Sequence, residues 1–328
     1  GNKVNLPYSL RPQGHDIIRT WTFYTIVRSF LHEKNIPWEN IFITGNVMLK
    51  GEKMSKSKGN VVAPQGVLEN YGADALRYWA SSSKLGEDME YQEKDVVAGK
   101  RLINKLSNAT NFVFMNLKSE PKRPKELEKA DIEFLGRLNE VIKSSTEYFP
   151  SYEYNRAKSD IEKFFWNDFC DNYLESVKKI IYQGSGNEKQ SVNYTLYHSL
   201  LTILKLMAPI MPFITEDIYQ THFKKYEKHK SIHISPWPEF GKEKSKGYWD
   251  VFKDNLSKIK QFKSEKQLPL NAQLENYKVT LPSADHKVIF NTYENRFIAT
   301  SGAILIDSGK DFKIVEIKSY KAGTEPNL

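Results

Sequence analysis

The stretch of this sequence best suited to chemistry lies at residues 53–60, which read KMSKSKGN. Two lysines three residues apart, with serine hydroxyls beside them and a glycine after them, can place ammonium groups and hydroxyl donors around a triphosphate. The alternative is an exposed charged loop without a ligand, because runs of lysine and serine usually lie on the surface. The stretch taken alone leaves both interpretations open.

An upstream segment at residues 14–21 reads GHDIIRTW. Gly14 would allow the backbone to approach a nucleotide closely, and Asp16 can accept hydrogen bonds from ribose hydroxyls, as an acidic residue does in dinucleotide-binding folds. Asp16 can equally serve as the N-cap of the helix that follows. Before any family is considered, the ribose ligand and the helix cap are both open.

A downstream segment at residues 71–79 reads YGADALRYW. Its charged residues resemble catalytic groups, but we expect structural roles for them. Asp74 is placed to cap the helix that runs through Leu76 and Trp79. Arg77 is expected to orient a loop or to support a ligand-facing surface.

These three segments, in this order and at these distances, resemble the class I aminoacyl-tRNA synthetases of the subgroup that charges valine, isoleucine and leucine. Two later segments resemble the anticodon-binding domain of that family: FWNDFCDNYLE at residues 165–175 and APIMPFITE at residues 208–216. Residues 14–21 are most like the archaeal type of valyl-tRNA synthetase. An isoleucyl-tRNA synthetase and a stand-alone tRNA-binding module without catalysis remain as alternatives.

The resemblance implies ATP-dependent attachment of valine to tRNA(Val) through valyl-adenylate, with ATP and Mg²⁺ as substrate. The attacking carboxylate is already ionised at neutral pH, so the reaction needs no general base. Catalysis must then come from positioning and from positive charge directed at the phosphates. By resemblance, the catalytic residues are Lys53 and Lys56, and the ATP-binding residues are Gly14, Asp16, Met54, Ser55, Lys56 and Ser57.

The helical region also holds candidates for tRNA contacts. Three basic residues expected to be exposed there are weak candidates for binding the anticodon stem: Arg156, Lys158 and Lys163. The aromatic residues that follow at helical spacing are expected in the core rather than as platforms for bases: Phe164, Phe165, Trp166 and Phe169. Cys170 is expected to be a small buried hydrophobe.

The elements that must position these residues fall into three regions, and together they predict a multidomain, mainly α fold. Residues 1–99, with a helix over 17–31 and a short buried strand over 41–44, are expected to form the C-terminal part of a Rossmann-like α/β catalytic domain with a stem-contact region. Residues 100–241 are expected to form a helical anticodon-binding domain, and residues 242–328 a small α/β domain. The amphipathic patterns of the middle region predict helices over 101–117, 130–148, 157–182 and 192–207.

Composition excludes several classes of protein. Of 328 residues, 40% are hydrophobic and 27% charged, which is typical of a soluble globular chain. The longest apolar stretch, 196–214, is interrupted by histidine, lysine and prolines, so we expect no membrane span. A single cysteine excludes internal disulfides and Cys-rich metal sites, and favours the cytoplasm. We expect no bound metal, and a monomer because no heptad seam is present.

The net charge of +8 makes a polyanionic partner plausible. The excess is not gathered in a polybasic tail, so folded surfaces would have to bind tRNA. Synthetases of this class also need a His-x-Gly-His element, which this sequence does not contain. We expect that element, the first half of the nucleotide-binding sheet and the editing domain to precede Gly1. The chain should then expose an unpaired sheet face and should not aminoacylate by itself.

Overall fold

The computed structural model of the chain describes residues 5–117 and 120–317. These residues form two compact units. Among them, the first unit comprises 5–107, Ser145–Ser159 and Met207–Ile218, and the second comprises the rest. Within the described ranges, no helix is both long enough and apolar enough to cross a membrane. The division at residues 99 and 241 stays a prediction.

Two parallel strands open the first unit. Strand β1 (Tyr8–Gly14) pairs with β2 (Trp38–Thr44) in a register that places Gly14 opposite Thr44. A helical connection links them, in which two short turns precede α1 (Phe23–Glu33). The predicted helix and strand are both present, but the expectation that the strand is buried is wrong, because Ile41 is exposed and residues 42–44 are only half-buried. Both strands end at the same edge of the sheet because they are parallel. The segment that starts at residue 15 therefore leaves the sheet at the edge where such sheets bind ligands.

A second small sheet follows at once. Strand β3 (Val47–Leu49) pairs antiparallel with β4 (Glu52–Lys53), and β5 (Met89–Glu90) pairs parallel with β3. The turn between β3 and β4 consists of Lys50 and Gly51, whose φ angles are 54° and 77°. A two-residue hairpin turn of this kind requires positive φ at both central positions. The sheet therefore fixes the start of the lysine loop.

The remaining helices follow in chain order. They are α2 Pro64–Tyr71, α3 Ala73–Ala80, α4 Glu93–Asn116, α5 Lys129–Tyr148, α6 Tyr154–Lys163, α7 Glu175–Gln183, α8 Gly186–Met207 and α9 Pro212–Ile218. Helices α4 to α8 confirm the predicted helical region, and a π-helical stretch (Phe164–Leu174) joins α6 to α7.

The last part of the second unit is a small α/β layer. Its central strand pairs parallel with one neighbour and antiparallel with the other, in the order β7-β6-β8. This arrangement is the small α/β fold that the sequence predicted for the last part of the chain. The elements are α10 Tyr248–Glu265, β6 Tyr277–Pro282, α11 Ser283–Thr292, α12 Glu294–Ser301, β7 Leu305–Gly309 and β8 Lys313–Glu316.

Asp74 has a different structural role from the predicted one. No side-chain cap closes the start of α3. The Asp74 carboxylate instead accepts hydrogen bonds from the backbone N–H groups of Phe213 (3.3 Å) and Ile214 (2.6 Å), so it caps α9. The prediction that it caps its own helix is wrong, because the first turn of α9 lies beside it and offers backbone N–H groups that have no partner within the helix. Arg77 binds the same turn by donating to the carbonyls of Pro209 and Ile210, both at 2.9 Å.

Aromatic residues fill the core of the second unit. Phe164, Phe165 and Phe169 are buried, as predicted, and so is Cys170, whereas Trp166 is half-buried. In the first unit, by contrast, β1, α1 and the π-helical turn before α1 leave large apolar side chains exposed to solvent. Exposed examples are Tyr8, Leu10, Trp21, Phe23, Tyr24, Phe30 and Leu31.

Candidate active site

Lys53 and Asp16 meet in the first unit although 37 residues separate them in the chain. The Lys53 Nζ donates to the Asp16 Oδ2 at 2.8 Å. Asp16 follows the carboxyl end of β1, and Lys53 ends β4. Both side chains are about half exposed. The pair therefore lies open to solvent at the edge of the parallel sheet where ligands bind in such folds.

The ammonium of Lys53 lowers the pKa of the Asp16 carboxyl, first by its hydrogen bond and then by its charge. Asp16 lies in a short 3-10 turn, and its side chain caps neither that turn nor the next one. The helix-cap alternative is therefore wrong. The Asp16 carboxylate remains ionised and directed at the lysine loop.

Gly14 gives the Asp16 carboxylate its space. A Cβ at position 14 would lie 2.7 Å from the Asp16 Oδ1, closer than side chains tolerate. We call Gly14 and Asp16 together the glycine–aspartate platform. Beside it, the Thr22 hydroxyl donates to the Gln13 Oε1 at 2.6 Å, and both of these residues are buried. This contact ties the end of β1 to the helical connection. The platform thus rests on a packed, hydrogen-bonded base.

The lysine loop itself is compact. A 3-10 turn covers Lys56–Lys58 and ends at Gly59, whose φ is 69°. The hydroxyls of Ser55 and Ser57 lie 2.7 Å apart, and half-buried Met54 donates its backbone N–H to the Val47 carbonyl at 3.0 Å. The loop therefore presents hydroxyl groups and lysines from one short turn, which is the set of donors that a polyphosphate requires.

Lys56 differs from its neighbours in having a free ammonium group. Lys58 pairs with Glu52 at 3.3 Å, and Lys53 pairs with Asp16. Lys56 is exposed, and its ammonium has no hydrogen-bond or ion-pair partner within residues 5–117 and 120–317. Of the lysines in the loop, it alone is available for a ligand without first breaking a contact in that part of the chain.

Two residues that the sequence analysis did not single out hold this loop. The Asn60 carboxamide bonds the backbone of Ser55 and of Lys53, and the Glu90 carboxylate bonds the hairpin turn. Asn60 stands inside the KMSKSKGN segment, so its position could have pointed to it. Glu90 is 40 residues from its partner Lys50, and no local pattern indicates the contact.

The three tRNA candidates differ in exposure. Arg156 is exposed, pairs with Glu153 at 2.5 Å and lies over the Tyr148 ring. Lys163 is exposed as expected.

The prediction that Lys158 is exposed is wrong, since only 7% of it is accessible. Its ammonium donates to the Ser82 hydroxyl at 2.5 Å and lies 3.5 Å from the centre of the Tyr78 ring. These contacts satisfy the charge inside the unit, so Lys158 is not a surface contact. Among the described residues, no cluster of three or more His, Cys, Asp or Glu side chains could hold a metal ion.

Comparison with known protein families identifies both halves of the predicted arrangement. The family described as tRNA synthetases class I (I, L, M and V) matches residues 2–92, which include the Gly14 platform and the lysine loop. The anticodon-binding domain of tRNA ligase matches residues 131–278. This chain belongs to the class I tRNA synthetases. The family resemblance expected from the sequence is confirmed.

Curated relatives of this class I synthetase chain are valine–tRNA ligases. The enzyme of Haloarcula marismortui is 40% identical over 83% of this chain, that of Rickettsia felis 42% over 84%, and that of Rickettsia typhi 46% over 73%. The aligned parts make up 30%, 34% and 31% of those proteins. The chain therefore spans about a third of the length of the curated relatives that it matches. The isoleucyl alternative is not favoured.

A solved structure shares the fold of this synthetase chain. It is a LeuRS–tRNA–LeuAMS ternary complex from Agrobacterium radiobacter K84, which is 19% identical and has a TM-score of 0.52. The likeness covers 84% of this chain and 30% of that one. It supports the mainly helical, multidomain fold predicted from the sequence.

Proposed function

We propose that this chain is the part of a valine–tRNA ligase that binds the phosphates of ATP and the anticodon arm of tRNA(Val). The observation that carries the proposal is the 2.8 Å contact between Lys53 and Asp16. It brings the lysine loop to the glycine–aspartate platform, two segments that the sequence assigned separately to one nucleotide. Relatives of about 40% identity favour valine as the amino acid.

The reaction that fits these residues is adenylation followed by transfer. A carboxylate oxygen of valine forms a bond to the α-phosphorus of ATP, and the bond from that phosphorus to the bridging oxygen of pyrophosphate breaks. The tRNA hydroxyl then displaces AMP from valyl-adenylate. The first step moves no proton, so the protein contributes position and positive charge rather than a general base.

Each residue has a role that its surroundings support. Lys56, with an exposed and unpaired ammonium, is placed to bind the phosphates as pyrophosphate leaves. Asp16 is placed to accept hydrogen bonds from ribose hydroxyls, and its lowered pKa keeps it ionised for that purpose. Lys53 assists from its position beside Asp16, and Ser55 and Ser57 supply hydroxyl contacts. ATP enters as its Mg²⁺ complex, as substrate.

The decisive experiment measures valine-dependent exchange of pyrophosphate into ATP by the full-length enzyme that carries this sequence. Lys56→Ala should slow exchange about 10² to 10³-fold, as removal of one charge-stabilising donor does elsewhere. tRNA affinity should change little. Lys58→Ala is the matched control, since Lys58 lies in the same turn but is paired with Glu52. Exchange that is equally fast in both variants would remove Lys56 from this role.

We expect the 328-residue chain alone to bind tRNA but not to support exchange, because it spans only about a third of the length of the valine–tRNA ligases that it matches. We propose a cytoplasmic, monomeric enzyme. For tRNA contacts, Arg156 and Lys163 remain the candidates, since both are exposed. Substituting them should weaken tRNA binding and reduce its salt dependence, while leaving exchange unaffected.

A further inference from the structure

The lysine loop is closed by the side chain of Asn60. Its Oδ1 accepts a hydrogen bond from the backbone N–H of Ser55 at 2.8 Å, and its Nδ2 donates to the carbonyl of Lys53 at 3.1 Å. One carboxamide therefore bonds both sides of Met54. This sets the distance between the strand that ends at Lys53 and the turn that carries Lys56.

The carboxylate of Glu90 holds the other end of the same hairpin. It accepts the backbone N–H of Lys50 at 2.5 Å and reaches that of Gly51 at 3.4 Å. These are the two turn residues with positive φ, and they lie outside the β3–β4 pairing, which ends at Leu49 and Glu52. Glu90 is half-buried on β5, which is paired with β3. The turn is thus fastened to a strand of the sheet rather than left free.

We propose that Asn60 and Glu90 are positioning residues for the phosphate-binding lysines. Neither needs to touch ATP. Asn60 fixes the loop from inside, and Glu90 fixes the hairpin that leads into it, so that Lys53 and Lys56 approach the phosphates from one prepared backbone conformation. This inference rests on the proposed function, because Asn60 and Glu90 can position the lysines for phosphates only if the loop binds them.

The physical basis is preorganisation. A charge speeds a reaction most when its position does not have to be established during the reaction. Backbone hydrogen bonds to Asn60 and Glu90 restrict the loop before the nucleotide arrives. Losing one such bond should favour open loop conformations about fivefold, the effect of one ordinary hydrogen bond.

The first test measures loop order in the 328-residue chain without any activity. Hydrogen–deuterium exchange of peptides that cover residues 47–60 should become about fivefold faster in Asn60→Ala and in Glu90→Ala. Glu90→Gln keeps an acceptor oxygen and should stay near the wild-type rate. Glu87→Ala and Asn70→Ala are the matched controls, since both residues are exposed and, in the described part of the chain, neither has a hydrogen bond or an ion pair to the loop. Unchanged exchange in both alanine variants overturns the inference.

The second test measures pyrophosphate exchange in the full-length enzyme. Asn60→Ala and Glu90→Ala should lower kcat about fivefold or more without changing KM for valine, and Glu90→Gln should restore most of the rate. A looser loop with an unchanged kcat overturns the inference while Lys56→Ala still reports on the proposed function. If Lys56→Ala is also fully active, the proposed function fails together with it.

Discussion

A buried ion pair fastens the last part of the chain to the helical region. In the second unit, the Arg296 Nη1 on α12 donates to the Asp131 Oδ1 on α5 at 2.7 Å, and neither side chain is appreciably exposed. The same carboxylate accepts hydroxyl hydrogen bonds from Tyr173 and Ser191, both at 2.6 Å. Burial and the Asp131 charge raise the pKa of Tyr173 well above its ordinary value, so that hydroxyl stays protonated and donating.

Replacing Arg296 by methionine keeps the apolar stem but leaves the Asp131 carboxylate with two neutral donors, Tyr173 and Ser191, among the residues that the structure describes. Breaking a buried pair by removing one partner costs about 3 to 5 kcal/mol, because the remaining charge is buried without compensation. With a urea m-value of about 3 kcal/mol/M, the unfolding midpoint should fall by roughly 1 to 2 M. Such a loss would show that the small α/β layer of residues 248–316 stabilises the helical region through Arg296.

The assay is urea unfolding of the chain followed by circular dichroism. Lys178→Met is the matched control, since Lys178 forms an exposed pair with Glu175 in the same unit and should cost below about 1 kcal/mol. Adding Asp131→Asn to Arg296→Met removes the stranded charge, so the double variant should lose less stability than the sum of the single ones. A midpoint for Arg296→Met equal to that of the control would refute the reasoning.

Three further predictions concern the first unit. Asp74→Ala removes the cap of α9 and should cost about 1 to 2 kcal/mol in thermal unfolding. Gly45→Ala should cost about 1 to 3 kcal/mol, because its Cβ would lie 2.0 Å from the backbone oxygen of Glu87. Lys53→Met should raise the Asp16 pKa toward 3.8 in an NMR titration. The pKa of Asp16 is lower in the folded state than its ordinary value of 3.8. The Lys53–Asp16 contact therefore stabilises the fold fully above pH 3.8, and this contribution is lost as the pH falls through the folded pKa.

Each of these three predictions has a result that would contradict it. Asp74→Asn keeps one acceptor oxygen and should be milder than Asp74→Ala, so equal losses would argue against capping. Wild-type stability of Gly45→Ala would mean that the neighbouring backbone yields freely. An Asp16 pKa that does not move in Lys53→Met would show that the lysine is not its main partner in solution.

The sequence determined the local elements and the family of this protein. The octet at 53–60 and the segment at 14–21 carried the family resemblance, because their residue types and order are specific. The long helices followed from apolar residues three or four apart, a pattern that depends on each helix alone. Burial of Phe164 and Phe169 followed for the same reason.

The partners of the polar side chains depend on contacts between segments far apart in the chain. Asp74 caps a helix that starts 138 residues later in the chain, at Pro212, and Glu90 binds a turn 40 residues earlier. Lysine usually lies at the surface, yet Lys158 on α6 contacts Tyr78 and Ser82 inside the unit. A hydrogen bond depends on atoms that approach within about 3 Å, and spacing along one segment carries no information about which distant segment supplies the second atom.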